Sequence, residues 1–168
     1  MQLPDAEQLL VRLTDRIRRD ITPNTALVGV YTGGVWLAER LHQNLQLPLP
    51  LGALDVSFYR DDFAQIGLHP QVRPSDIPFT VEGSHIILVD DVLYTGRTIR
   101  AAINELFDYG RPASVRLAAL IDRGGRELPI SAQYVGAMLD LPTDEMLALE
   151  KCADGILSLS LYSKNSGQ

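Results

Sequence analysis

The run Ile86-Ile87-Leu88-Val89, four apolar residues ending on the acids Asp90 and Asp91, constrains the fold more than any other feature of this chain. Unbroken apolarity of that length marks a strand buried on both faces, as in a parallel sheet covered by helices. The turn-forming stretch Tyr94-Thr95-Gly96-Arg97-Thr98 follows. Ile99, Ala102, Ile103, Leu106 and Phe107 then fall on one helical stripe, with Gly110 placed for a left-handed cap and Pro112 barring continuation. Val115 to Ile121 reads as a second buried strand, so strand, helix and strand make a right-handed crossover unit. A second unit begins with Ala26-Leu27-Val28-Gly29-Val30, turns at Thr32-Gly33-Gly34 and continues as a helix through Val35, Ala38, Leu41 and Leu45. Two such units predict an α/β fold on an open, mostly parallel twisted sheet flanked by helices.

The remaining segments fit around that sheet. Asp5 is placed to cap a first helix, Gln8 stands three residues on, and Leu9, Leu10, Leu13 and Ile17 recur at helical spacing. Its other face carries Arg12, Arg16, Arg18 and Arg19, diluted by Asp15 and Asp20: a solvated face rather than a binding patch, with Arg12, Arg16 and Arg19 the feature that would favour RNA. Leu54, Val56 and Phe58 alternate with Asp55, Ser57 and Tyr59, the pattern of a half-buried strand. From Arg60 to about Val81 no period is sustained, and Gly67, Pro70, Pro74 and Pro78 punctuate the stretch, as in a lid or binding loop. Met146–Lys151 and Ile156–Tyr162 flank Asp154-Gly155 and predict a small C-terminal β-hairpin. The whole is read as a single domain over 1–168.

Composition narrows the function classes. With 46% hydrophobic and 21% charged residues the chain can bury a core, which excludes disorder. The net charge of −6 repels nucleic acid and anionic membranes in bulk, so any polyanion site must be local. Thirteen of the 15 basic residues are arginine, whose fork suits phosphate and carboxylate. A lone Cys152 excludes an internal disulfide and a multi-cysteine zinc site. Met1-Gln2-Leu3-Pro4-Asp5 has neither the basic nor the apolar region of a signal peptide, so the expected compartment is cytoplasmic. No apolar run approaches the roughly 20 residues of a membrane-spanning helix, and no membrane partner is expected.

In an open parallel sheet, ligands bind beyond the carboxyl ends of the strands, which directs attention to 31–34, 90–98 and 122–129. Neighbouring side chains in a strand point to opposite faces. One of Asp90 and Asp91 would then face the core, at a cost of about several kcal/mol if unpartnered, so the chain is expected to leave the sheet at this point. Polar company such as ribose hydroxyls or a metal-hydrated diphosphate would satisfy both acids. The 94–98 stretch reads as an anion cup: helix-start amides carry roughly +0.5 of a charge, Gly96 permits close approach, and Thr95 and Thr98 offer hydroxyls. It is not a nucleotide-triphosphate loop, because Asp91 stands where that motif needs glycine and Arg97 where it needs lysine. The alternative is a capped helix with Thr98 as N-cap and two acids that end a strand. His42, His69 and His85 have no metal-ligand spacing, Cys152 is a buried or turn residue, and Trp36 and Tyr109 are packing residues.

Ile87 through Thr98 resembles the phosphoribosyl-diphosphate signature of type I phosphoribosyltransferases. Asp55 through Asp62, Asp108 through Pro112, and Asp122-Arg123-Gly124 with Arg126 through Ile130 are similar to the bifunctional pyrimidine operon regulators that are also uracil phosphoribosyltransferases. The resemblance spans most of residues 27–135 and implies the type I phosphoribosyltransferase fold. It implies that Asp90 and Asp91 hold the ribose hydroxyls, and meet a metal only through substrate or water, while Tyr94, Thr95, Gly96, Arg97 and Thr98 cradle the 5-phosphate. Tyr31, Thr32, Gly33 and Gly34 correspond to the diphosphate turn, where consecutive glycines make unusual backbone angles cheap. Arg60 opens a flexible active-site loop over about 60–80 and joins Asp90 and Asp91 as a catalytic candidate. Asp122, Arg123 and Gly124 start a small hood over the uracil, at about 122–135.

The implied reaction joins uracil to 5-phosphoribosyl 1-diphosphate (PRPP), giving uridine monophosphate (UMP) and diphosphate, with Mg2+ on the leaving group and no protein nucleophile. Two other readings stay open: an RNA-binding attenuator of pyrimidine genes with little catalysis, and a phosphoribosyltransferase for another base. RNA-binding relatives carry basic residues near the diphosphate turn and after the hood motif, where this chain has Tyr31, Gly33, Gly125, Ser131 and Ala137. A homodimer or larger homo-oligomer is implied by resemblance, with Leu157, Leu159 and Leu161 as an edge, an interface or core packing.

Overall fold

The computed structural model describes residues 1–56 and 75–165. In chain order these form α1 (Ala6–Arg18), β1 (Thr25–Val30), α2 (Gly33–Leu45), β2 (Gly52–Leu54), β3 (His85–Leu93), α3 (Arg97–Phe107), β4 (Ser114–Asp122), β5 (Tyr134–Met138), β6 (Glu145–Lys151) and β7 (Leu157–Ser163). Strands β1 to β5 make one sheet in the order β2-β1-β3-β4-β5, parallel throughout, while β6 and β7 pair antiparallel on their own.

Alternation along the strands splits the core into two layers. Ile87 and Val89 of β3 join Leu27, Leu37 and Leu41 and the α1 residues Leu9, Leu13 and Ile17 on one face. Ile86 and Leu88 join Val28, Val30 and Leu54 with Ile99, Ala102 and Leu106 of α3 on the other. Each such buried side chain contributes about 1.5–3 kcal/mol, so continuous apolar runs on the central strands hold helices on both sides. Helix α1 starts as its sequence dictates, with Asp5 Oδ1 accepting from the amides of Glu7 at 2.8 Å and Gln8 at 3.2 Å. Two of its arginines are engaged: Arg16 Nη1 donates to the carbonyl of Val135 at 2.6 Å and Arg18 Nη2 to that of Asn44 at 3.3 Å. His42 Nε2 meets the Leu49 carbonyl at 2.8 Å.

The hairpin turns through Gly155, at φ 86, with exposed Cys152 in the turn. Leu147, Leu149 and Leu157 are buried and Leu159 and Leu161 half-buried against the α1–α2 layer, so the alternating leucines pack inward. Arg40 and Glu7 pin the hairpin. The guanidinium lies 2.6 Å from Glu7 Oε2, and Glu7 Oε1 accepts from the Leu157 amide at 2.9 Å. The hydrogen bond from Arg40 holds the Glu7 carboxyl below its ordinary range, against the opposing effect of burial.

Several expectations are corrected. The chain does not leave the sheet at Asp90; β3 carries both acids and continues to Leu93, pairing with β4 as far as Asp122. The strand expected over 54–59 is the three-residue β2, ending at Leu54, and residues from 57 lie outside the described set. Strand β5 was not foreseen. Thr98 does not cap α3; Gly96 does, with φ 93 and no side-chain cap bond. Phe107 and Tyr109, expected to pack, are exposed: in the last turn of α3 the buried position is taken by Leu106, and the helix ends at Phe107. No helix among the described residues is long and apolar enough to cross a membrane.

Candidate active site

The end of β3 distributes its two acids between the layers. By strand alternation Asp90 follows Leu88 onto the α3 side and Asp91 follows Val89 onto the α2 side. Asp90 shares a small cavity with Tyr94, Gly96 and Thr98. Asp91 meets Gly33: a Cβ there would stand 2.8 Å from the Asp91 Cγ. Each carboxylate also accepts an adjacent amide, Asp90 Oδ1 from Asp91 at 2.9 Å and Asp91 Oδ1 from Val92 at 2.8 Å. The carboxylates therefore sit one beside each of the two turns that sequence reasoning singled out.

The 31–34 turn is built for contact with β3. Its Tyr31–Thr32 peptide bond is cis, and α2 begins directly at Gly33. Neither Gly33 nor Gly34 has a positive φ. The reason expected for these glycines, unusual backbone angles, is thus replaced by close approach, since a Cβ on Gly34 would lie 3.1 Å from Asp90 Cα. Gly29 opposite completes the fit, with Val35 Cα 2.7 Å from where its Cβ would be.

The loop into α3 presents the first-turn amides of a helix capped by glycine. Buried Thr95 accepts from the Arg97 amide at 3.2 Å, and Thr98 lies in the first turn. Tyr94 and Arg97 turn elsewhere. The Tyr94 ring lies under the hood, with the Arg123 guanidinium 4.1 Å from its centroid, and Arg97 Nε reaches Glu127 at 3.1 Å in an exposed pair.

Above this loop the hood is tied down strand by strand. Arg123 donates its amide to Leu93, while its buried guanidinium spans to the carbonyls of Glu145 at 2.8 Å and Pro142 at 2.9 Å. Its Nε is buried with no hydrogen-bond partner among the described residues. Asp122 is occupied on both oxygens, by the Gly124 amide at 2.9 Å and by Arg126 Nη2 at 2.5 Å. Side chains of Asp122 and Arg123 thus hold the hood, each bonded to groups of the protein itself. Arg126, given no role from sequence, is the hub: it also bonds the carbonyls of Tyr94 and Ile130. Its place in the Arg126-Glu127-Leu128-Pro129-Ile130 motif was the only signal for it.

Arg60 and most of the expected 60–80 loop lie outside the described residues. The end of that stretch is anchored: Asp76 exchanges two backbone bonds with Ala53, both at 2.8 Å, and Ser75 Oγ donates to Glu105 at 2.6 Å. Ile77 and Phe79 pack on the α3-side core. Among the described residues no group of three His, Cys, Asp or Glu side chains is placed to hold a metal alone.

A family model described as a phosphoribosyl transferase domain matches residues 2–144. Bifunctional protein PyrR of Nitrosococcus oceani is 57% identical over 143 residues, covering 84% of this chain and 81% of that protein. Bifunctional protein PyrR of Pseudomonas savastanoi pv. phaseolicola is 54% identical over 153 residues, covering 89% and 90%. A solved hypoxanthine-guanine phosphoribosyltransferase from Bacillus anthracis superposes with a TM-score of 0.67 over 83% of this chain and 84% of that one; at 21% identity it shows the fold alone. The parallel five-strand sheet between helices, with its terminal hairpin, is the fold that the resemblance implied. The chain belongs to the phosphoribosyl transferase family, and within it to the PyrR type.

Proposed function

We propose that this chain transfers the phosphoribosyl group of PRPP to uracil, releasing diphosphate and forming UMP. The observation that carries the reading is the division of Asp90 and Asp91 between two turns one strand-end apart. A sugar held by those acids would have its 5-phosphate toward Gly96 and Thr98 and its diphosphate toward Gly33. The bond from uracil N1 to the anomeric carbon forms as the bond to the diphosphate oxygen breaks, and the N1 proton is released. No residue need act as nucleophile; the protein's work is to orient two partners and to meet charge with fixed donors.

Magnesium suits this donor set. A hard cation that keeps several waters and binds mainly through substrate phosphates needs only one or two carboxylates, and Asp90 and Asp91 would hold it through water or the ribose hydroxyls. Bound there, it would neutralise charge on the departing diphosphate. The chain's own residues do the rest: the first-turn amides of α3 bind the 5-phosphate, and the hood backbone near Gly124 selects the base. Incubating the protein with PRPP and, in turn, uracil, hypoxanthine, guanine and orotate tests the reading. Uridine monophosphate should dominate; another nucleotide would transfer the reading to that base, and none at all would refute it.

Binding of a leader RNA is a second reading, supported by exposed Arg12 on α1 and Arg19 at its C-terminal cap. Arg16 and Arg18 are already engaged with the carbonyls of Val135 and Asn44, and the net charge of −6 opposes a polyanion. Retardation of a pyrimidine leader transcript at low salt, strengthened by uridine nucleotide, would support it; no retardation would remove it. Homodimers or larger assemblies accompany either reading, and light scattering measures them.

A further inference from the structure

Arg126 is a hood residue by sequence, yet its guanidinium crosses to the loop that opens α3. Nη1 donates to the Tyr94 carbonyl at 2.7 Å, Nε to the Ile130 carbonyl at 2.8 Å and Nη2 to Asp122 Oδ2 at 2.5 Å, with a longer contact of 3.5 Å from Nη1 to Gly124. The pair with Asp122 is shielded, the two side chains being 24% and 10% exposed. The next carbonyl along, that of Thr95, accepts from the hood amides of Glu127 at 2.9 Å and Leu128 at 3.2 Å. Gly96 packs against the same segment, with Ile130 Cβ 3.0 Å from where its own Cβ would stand. Two successive carbonyls of the α3 loop are therefore turned into the hood.

Peptide planarity supplies the consequence. A trans peptide carries its carbonyl and its amide hydrogen on opposite sides, and the cis bond of the described chain is elsewhere, at Tyr31–Thr32. Holding the Tyr94 and Thr95 carbonyls in the hood aims the amides of Thr95 and Gly96 away from it. Successive amides aimed one way at a helix start form an anion cradle. Arg126 bonds the first carbonyl directly and, through Asp122, Gly124 and Ile130, braces the turn that supplies the amides for the second.

We propose that Arg126 is a positioning residue for the 5-phosphate of the sugar donor: a side chain of the base hood sets the direction of the phosphate-binding amides. This rests on reading 94–98 as the phosphate cup. It makes the two halves of the nucleotide site mechanically one, so that loosening the hood from below weakens the grip on the sugar phosphate, not only on the base.

Ribose 5-phosphate, which has the phosphate and neither base nor diphosphate, is the probe. Calorimetric titration of wild type, Arg126→Gln and Arg126→Lys gives its affinity, and steady-state kinetics give KM for PRPP and for uracil. Arg126→Gln should weaken ribose 5-phosphate about tenfold or more and raise the PRPP KM in parallel, with a smaller change in uracil KM. Arg126→Lys, which keeps the charge and can reach one acceptor, should recover part of the affinity. Wild-type ribose 5-phosphate affinity in Arg126→Gln, with uracil KM alone raised, would overturn the proposal. Should Arg126→Gln fail to melt cooperatively, Arg126→Lys decides: unchanged sugar-phosphate affinity overturns, a several-fold loss supports. Wild type that binds no ribose 5-phosphate would refute the cup itself, whereas wild type that binds beside an unaffected Arg126→Gln refutes only the role of Arg126.

Discussion

Gly33, the first residue of α2, and Asp91, near the end of β3, touch so closely that a methyl group on Gly33 would stand 2.8 Å from the carboxylate carbon of Asp91. The 31–34 turn and the acids at the end of β3 are thereby one surface. Gly33→Ala must push the Asp91 carboxylate aside, which the side chain can do by rotating. We expect near-wild-type melting with kcat/KM for PRPP lowered about tenfold or more, measured by steady-state kinetics. Gly34→Ala instead meets the backbone, with Asp90 Cα at 3.1 Å, and should cost about 1–3 kcal/mol of stability in denaturant unfolding.

Gly125 is constrained twice. Its φ of 76 disfavours a side chain, and a Cβ would lie 2.8 Å from Cδ1 of the Tyr94 ring, which is itself stacked beneath Arg123. Gly125→Ala should destabilise by about 1–3 kcal/mol and raise uracil KM. Unchanged melting would show that the ring moves freely and that the hood is not braced through it.

Arg123 joins the hood to the segment before β6. Arg123→Met keeps much of the packing volume but leaves the carbonyls of Pro142 and Glu145 without their donor. A loss of about 1–3 kcal/mol is expected by thermal or denaturant unfolding, together with weaker uracil binding. Full stability would mean that water replaces the guanidinium without cost.

Glu7 gives the hairpin an acid limit. Its carboxyl titrates below the ordinary 4.5 because Arg40 donates to it, so the folded state prefers the ionised form. The resulting stability is present above the ordinary value and disappears as pH falls through the lower, folded value. Both side chains are about a third exposed, which limits the effect to about 1 kcal/mol. Comparing wild type with Glu7→Gln by urea unfolding should show a gap at pH 7 that closes in strong acid; a gap independent of pH would contradict this.

The central crossover was legible because its signals are local. Apolar runs gave β3 and β4, periodicity gave α1, α2 and α3, and Asp154-Gly155 gave the hairpin turn. Strand β5 was not legible. In Tyr134-Val135-Gly136-Ala137-Met138 the last residue is exposed, and Gly136 is present because a Cβ there would collide with the backbone carbonyl of Leu120 on β4, a tertiary requirement without a sequence pattern. The desolvation argument at Asp90 and Asp91 assumed that a strand bearing acids must be covered. Asp90 is buried and the strand runs on to buried Leu93, because the carboxylates of Asp90 and Asp91 each accept a neighbouring amide without the chain leaving the sheet. Spacing identified the residues near the site but not their tasks: Arg123 braces carbonyls, Asp122 is held by Arg126, and Tyr94 packs under the hood, all set by contacts remote in sequence.

The most direct test compares UMP formation from uracil and PRPP by wild type, Asp90→Asn and Asp91→Asn. These substitutions keep shape and remove one charge each, so melting should shift by only a few degrees. Product from wild type, with kcat/KM lowered by about a hundredfold in each variant, is the expected result. Variants as active as wild type would contradict the assignment of the sugar donor to the end of β3.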